Sequence, residues 1–403
     1  MKRNAVGAVG AQGAQAFGSF FLQILVVRSL GLDGLGTFSI LYGVMVLVAG
    51  ILTGFVGDSL VVLERRERTV RSALQQYAIG LSLIAGIVAA IVMIPTGLIT
   101  PHQALWFGIA VGLFGLEELM RRLLMANVLF WRVAAIDLSA FLGSLAVVGI
   151  GVLRHRIDLD LFLMAIAVGQ VVAILLGIVL LPRAERFVVG FVRGDYRLVA
   201  AYGVWRSAQQ FLRPGLLTVV RALVTVFVGL AATGLLETAR VYVAPAMLVI
   251  SGLTSFLFVS YARNKAAGVT SQLRRADRSV GILLGTTTLM SVVFLVALPF
   301  VGPLLFGTTP QLLAVIGWLA YAASVSAVTP YGALAAVGGR QALVFAIRVS
   351  DTLLSAIAVL VILALGVQPS FAPVALSVGS IAGGLAIRAF ILRPEARREQ
   401  AIR

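Results

Sequence analysis

Between residues 199 and 230 the chain reads VAAYGVWRSAQQFLRPGLLTVVRALVTVFVGL, apolar enough to cross a bilayer yet carrying Arg206, Arg213 and Arg221, with Gln209 and Gln210 between the first two. At about 100° per residue, steps of seven and eight turn a helix by roughly −20° and +80°, so the three guanidinium groups share one sector of about 80°. An arginine near the middle of a bilayer costs between about 2.5 and 17 kcal/mol, depending on the reference state. Three on one face require water, protein partners or an anionic ligand. Guanidinium stays charged and donates in pairs to phosphate oxygens, so the chemistry indicated is recognition of an anion such as a diphosphate. The alternative is that these arginines snorkel or sit in structural ion pairs. Pro214 removes a backbone hydrogen bond beside Arg213 and predicts a kink there. Gln12, Gln15 and Gln23 share one face of the first apolar segment by the same turn arithmetic. Amides at Gln12, Gln15, Gln209 and Gln210 suit a ligand that also carries hydroxyl groups.

A second group lies on the fourth and fifth apolar segments. Glu117 and Glu118 precede Arg121 and Arg122 at i,i+4, the favourable order for helix ion pairs, and Asp137 falls close enough to join them. Structural pairing is the simpler reading. The rival role for Asp137 is a proton or sodium site, because an intramembrane carboxylate is a candidate for coupling. Arg348 and Asp351, three apart, are expected to neutralise each other, while Asp58 and Arg388 are placed near membrane edges. The chain has no cysteine, and its two histidines, His102 and His155, fall in short loops. With no thiolate, metal-spaced histidines, phosphate-binding glycine loop or serine–histidine set, the sequence predicts a non-enzyme with no bound cofactor, served at most by a proton or sodium gradient.

The elements that must hold these residues are membrane spans. Of 403 residues 60% are hydrophobic and only 12% charged, which is the composition of a polytopic membrane protein. Twelve spans are expected at about 5–27, 37–62, 77–99, 105–124, 134–153, 161–181, 199–228, 235–261, 280–301, 311–335, 342–365 and 371–391. The first follows Lys2 and Arg3 as a signal peptide would, but its apolar run is too long and it is read as a retained helix. Most of the 32 Lys and Arg fall in the tails and even-numbered linkers, and only Arg28, Arg154, Arg156 and Arg240 lie in the opposite loops. That bias places both termini in the cytoplasm. It also accounts for the net charge of +16 through anionic lipid headgroups, without nucleic acid.

The longest hydrophilic linker, 183–197, separates an N-terminal lobe, 1–182, from a C-terminal lobe, 198–403, each with six spans. The lobes read as copies. Leu30 to Tyr42 lies over Leu230 to Tyr242, and Leu52-Thr53-Gly54-Phe55 over Leu253-Thr254-Ser255-Phe256. Two parallel copies would hold a substrate site between them and alternate access around it. Glycine pairs four apart, at Gly50 and Gly54, Gly108 and Gly112, and Gly379 and Gly383, permit close helix approach.

VRSLGLDGLGTF, Val27 to Phe38, resembles the junction of spans one and two in polysaccharide flippases of the multidrug, oligosaccharidyl-lipid and polysaccharide exporter superfamily, through Arg28, Leu30, Gly31, Asp33, Gly34 and Gly36. AAVGGRQALVFAIRVSDTLL, Ala335 to Leu354, is similar to that family's link into span eleven, and Arg121 to Ala140 is its weaker counterpart. The resemblance implies a MATE-like, all-α fold of about twelve transmembrane helices in two six-helix lobes. It implies a flippase, O-antigen flippase-like, moving an undecaprenyl-diphosphate-linked oligosaccharide from the inner to the outer leaflet of a bacterial cytoplasmic membrane. Arg206, Arg213 and Arg221 would then attract the diphosphate, and polysaccharide polymerase and glycosyltransferases would be its protein partners. Leu32 stands where the family commonly has proline, and Arg221 near where an acidic residue often begins the second repeat. The second departure favours anions over cation coupling. A cation-coupled multidrug exporter and a non-transporting scaffold for polysaccharide assembly are the alternatives.

Overall fold

A computed structural model describes residues 2–186, 193–263, 268–337 and 340–402; of the linker expected at 183–197, residues 187–192 lie outside the described residues. The described chain is helical, and eleven helices are long and apolar enough to cross a membrane. The first, α1 (Lys2–Leu52), holds two spans. They are separated by a bend at Gly31 with φ 70° and ψ −166°, a conformation that disfavours any side chain. The junction expected as a loop is therefore a single-residue kink. A π-helical turn, Thr53–Gly57, and the short α2 (Asp58–Val62) finish the second span. Then come α3 (Arg68–Met93), α4 (Pro101–Ala126), α5 (Phe130–Leu153), α6 (Leu159–Leu180), α7 (Tyr196–Phe227) and α8 (Leu230–Arg263). The chain continues through α9 (Val269–Phe306), α10 (Leu312–Val337), α11 (Gln341–Ala364), α12 (Ala372–Ala386) and α13 (Arg393–Ile402).

Contacts group the chain into two compact units, Met1–Thr218 and Val219–Arg403, so the division falls inside α7. The reason lies in its first half. A methyl group built on Gly54 would stand 2.6 Å from Ser207 Cα, and one on Gly203 would stand 2.7 Å from the Phe55 carbonyl. Ser207 Oγ donates to the Ile51 carbonyl at 2.9 Å, and Arg206 Nη2 pairs with Asp58 at 2.7 Å. Residues 196–218 thus pack on the end of the second span, backbone against backbone. Gly54→Leu is expected to destabilise the protein by about 1–3 kcal/mol, because overpacking here meets main chain rather than a side chain that can swing away. Thermal unfolding in detergent checks this, and an unchanged midpoint would show that the contact is loose.

Within the first unit α4 packs on α3 and α6, α5 on α6, and α1 on α4 and α5. In the second, α10 packs on α9, α12 and α8, and α11 on α12. Shifting the numbering by six turns most of the first set into the second. The copies agree in detail at α5 and α11. Ser144 Oγ donates to the Ala165 carbonyl and Ser355 Oγ to the Leu376 carbonyl, at 2.9 and 3.0 Å, both pairs lying 211 residues apart from their counterparts. The same offset matches Val133, Ala135, Ile136, Ser139, Leu142 and Val148 with Val344, Ala346, Ile347, Ser350, Leu353 and Val359. It also sets Asp137 against Arg348 and Arg121 against Gly332. There the second copy has reversed the charge. A methyl on Gly332 would stand 2.8 Å from Arg348 Nη2, so the position that holds an arginine in one copy makes room for one in the other.

Polarity runs outward from polar to apolar, as lipid demands. Ile79, Leu83, Ile87, Ile91 on α3 and Ile282, Leu289, Val293, Val296 on α9 are exposed at helical spacing. Glu117, Glu118, Arg121 and Asp137 are buried. Around the last two, Met120, Leu124, Val133 and Ile136 form an apolar cluster with Ala11, Ala173 and Leu181. At one end of the first unit arginines meet linkers: Arg65 pairs with Glu185, Arg71 donates to the Arg186 carbonyl and Arg132 to the Leu180 carbonyl. At the other end His102, in the first turn of α4 rather than in a loop, pairs with Asp160 at 2.7 Å.

Candidate functional site

The fourth and fifth spans run as a hairpin, and only Asn127–Leu129 separates α4 from α5. That short turn sets Asp137, two turns into α5, beside the last turns of α4. Arg121 Nε donates to Asp137 Oδ1 at 2.7 Å and Nη1 to Glu118 Oε2 at 2.6 Å, while Glu117 Oε1 lies 3.8 Å from Nε. Arg122 Nε reaches Glu118 Oε1 at 3.1 Å. Arg121 is 2% exposed and Asp137 6%, so each charge depends on the others for compensation. Three carboxylates face two guanidinium groups. With every group ionised the cluster carries one negative charge too many, in a place where an uncompensated charge is expensive.

The excess faces a cavity of about 80 Å³, lined by Gln15, Ser19, Glu117, Asp137, Ser144 and Gln170 together with Tyr42, Phe114 and Phe141. That is room for several waters. Among the described residues Asp137 Oδ2 and Gln170 Oε1 are buried acceptors with no hydrogen-bond partner. Two oxygens, one of them anionic, thus offer lone pairs to a proton, a water or a small cation. Gln15 also reaches the cluster, its Nε2 lying 3.4 Å from Glu118 Oε2.

The structure therefore brings Asp137 and Gln15 together and leaves the other expected residues elsewhere. Gln12 is exposed, and Gln23, on the same helix, is buried with its amide donating to the Ser19 carbonyl. On α7, Arg206 is held by Asp58 and donates to Gln209 Oε1 at 2.8 Å. Arg221 is buried and paired with Glu237 at 2.9 Å, and Glu237 is itself buried and shared with Arg240. Both are ion pairs of the structural kind. Arg213 differs. It is exposed, sits mid-helix beside Pro214 and has no hydrogen bond or ion pair among the described residues; Gln210, half-buried, precedes it by three.

Arg348 and Asp351 pair as expected, at 3.1 Å. Arg388 is held by Asp277 at 3.0 Å and lies over the Tyr331 ring. Sequence reasoning missed Gln170, Ser144 and Ser19. The signal for Gln170 was present: a single amide in the middle of an otherwise apolar span.

No family model and no curated protein matches the chain. Among solved structures it is similar to an inward-facing multidrug resistance MATE family transporter of the MOP superfamily, with TM-score 0.70 and 13% identity over 96% of each chain. An outward-facing MATE family transporter matches with TM-score 0.68 and 11% identity, over 99% of this chain and 96% of that one. A MOP superfamily transporter from Pyrococcus furiosus, whose binding pocket is reported to have reversed polarity suggesting a different function, gives 0.63 and 13%, over 98% and 94%. At these identities the likeness is one of architecture. The chain is a multi-pass, all-helical protein with the MATE-type fold.

Proposed function

We propose that this chain is a flippase that carries an undecaprenyl-diphosphate-linked oligosaccharide across the membrane by alternating access, from the cytoplasmic to the outer leaflet. The observation that carries the reading is Arg213, an exposed guanidinium in mid-span with no partner among the described residues. Such a group must meet water or an anion. Diphosphate is the anion its paired donors fit best, with Gln210 and Gln209 beside it for sugar hydroxyls. Arg206 and Arg221, each paired with a carboxylate, have structural roles in this reading, and Arg213 is the group left to the anion. The fold supports transport, and the reversed pocket polarity reported for the Pyrococcus furiosus protein shows that this architecture accommodates pockets of differing charge.

Coupling belongs to the Asp137 cluster. One proton or one sodium ion cancels the surplus negative charge, and its loss restores it, so occupancy of the cavity switches the charge of this cluster between zero and minus one. In depleted cells the lipid-linked oligosaccharide is expected to accumulate on the cytoplasmic side while surface polysaccharide falls, measured by mass spectrometry of lipid extracts. Arg213→Ala protein at normal membrane level is expected to lower export by about tenfold, the effect of losing roughly 1.4 kcal/mol of ligand interaction. Full export by that variant would remove Arg213 from the mechanism.

A second reading, export of organic cations, is favoured by the same cavity: two carboxylates and three aromatic rings suit a cationic ligand. Retention of cationic dyes in depleted cells, with lipid-linked sugars unchanged, would select it.

A further inference from the structure

We infer that the first unit binds one anionic phospholipid at its arginine-rich end, in a cleft distinct from the transport machinery. The cleft lies between the ends of α2, α3 and α4. Its walls are Val56 and Leu60, then Leu74 and Ala78, then Leu116, Leu119, Met120 and Leu123, and its mouth is formed by Arg65, Arg71, Gln75 and Glu185. Apolar walls with charged groups confined to one end match an amphiphile: a tail inside, a headgroup at the rim.

The sign of the headgroup follows from the mouth. Arg65 and Arg71 against Glu185 leave one positive charge, and around them the exposed Arg66, Arg68, Arg183 and Arg186 outnumber the exposed Glu64 and Glu67. The Arg186 carbonyl accepts from Arg71 while its guanidinium donates to the Leu181 and Val179 carbonyls, and Arg183 is held nearby by the turn it shares with Glu185. Arg65 is fixed by Glu185 at 3.1 Å and by the Leu60 carbonyl at 3.2 Å, so the mouth is preformed. A guanidinium carries five donors in a rigid fork, more than these protein contacts occupy on Arg65, and phosphate oxygens are the acceptors it matches.

Length agrees as well. From Arg71 to Ala78 and from Leu123 to Leu116 each wall runs seven residues, or about 10 Å along its helix. The cleft is small, about 60 Å³, so it seats only the first methylenes of an acyl chain, and the rest continues along the exposed apolar face of α3, through Ile79, Leu83 and Ile87. A zwitterionic lipid gains the wall contacts but not the charge at the rim. The inference holds for the first unit whatever cargo the protein moves, so it does not depend on the flippase reading.

The test uses purified full-length protein stripped of lipid and given dioleoyl phosphatidylglycerol or dioleoyl phosphatidylcholine, with bound lipid counted by native mass spectrometry. Phosphatidylglycerol is expected to be retained about tenfold more strongly, with one molecule outlasting the rest as activation is raised. Arg71→Gln is expected to erase the preference and leave chain binding. Ala78→Trp fills the cleft and is expected to remove the long-lived molecule altogether. Equal retention of the two lipids by the wild type, or an unchanged long-lived phosphatidylglycerol in Ala78→Trp, overturns the inference and leaves only general attraction at a basic surface. Displacement of that phosphatidylglycerol by equimolar undecaprenyl phosphate reassigns the cleft to cargo and overturns it too.

Discussion

Arg121→Gln is expected to destabilise the protein by about 3–5 kcal/mol, enough to deplete it from the membrane. The size follows from what remains. Without this guanidinium, Glu117, Glu118 and Asp137 are buried with only Arg122, which touches Glu118 alone. Breaking a buried pair by deleting one partner leaves an uncompensated charge, and here it leaves two. The measurement is the folded fraction after detergent extraction, read by size-exclusion chromatography of a fluorescent fusion. Because the cost is electrostatic, Asp137→Asn placed on top of Arg121→Gln is expected to recover part of the loss. A double variant as poor as the single one would mean that packing around Arg121, not charge, sets its importance.

Asp137→Asn alone is expected to behave in the opposite way, folding normally and failing to transport. Removing this carboxylate brings Glu117 and Glu118 into balance with Arg121 and Arg122, so stability is preserved or slightly raised. What disappears is the surplus charge and, with Oδ2, a buried acceptor that has no hydrogen-bond partner among the described residues. Export is expected to fall by on the order of tenfold or more, since each 1.36 kcal/mol of lost driving interaction is a factor of ten in rate. The residual flux should no longer respond to a proton or sodium gradient, whereas wild-type flux is expected to. Gradient dependence that survives in Asp137→Asn would move coupling away from the first unit.

These two variants separate roles that one cluster combines. Arginine supplies permanence: its charge does not switch, so it anchors the site. Aspartate supplies the variable charge. A structural ion-pair network needs equal numbers of the two, and this one does not have them.

How much of this was legible in the sequence differs from residue to residue. Spans were read well because crossing a bilayer sets a minimum apolar length, which a linear sequence displays. The Arg121–Asp137 contact was within reach because the two residues flank a three-residue turn, which leaves little freedom in how α4 meets α5. Depth along a helix was readable too, and so Arg213 was placed in mid-span. Partners were not. Arg206 is neutralised by Asp58, 148 residues away, and nothing in either segment announces the other. Arg221 and Glu237 lie only 16 apart, but hydropathy reports where a carboxylate sits along the normal and not which way it faces. The kink at Gly31 was expected as a loop because a short polar stretch usually means one; a single glycine at positive φ reverses the chain without it. The division inside α7 was hidden for a related reason, since the glycines that receive its first half, Gly50 and Gly54, lie on a different segment.

The matched serines of α5 and α11 show that one hairpin was built twice, and the aspartate and arginine set 211 residues apart within it show that the copies no longer agree in sign. A homo-oligomer assembled from either copy would repeat one sign at every such position. A single polypeptide holding both fixes one carboxylate and one guanidinium in a strict ratio of one to one. Covalent fusion, in this chain, is what makes the asymmetry heritable.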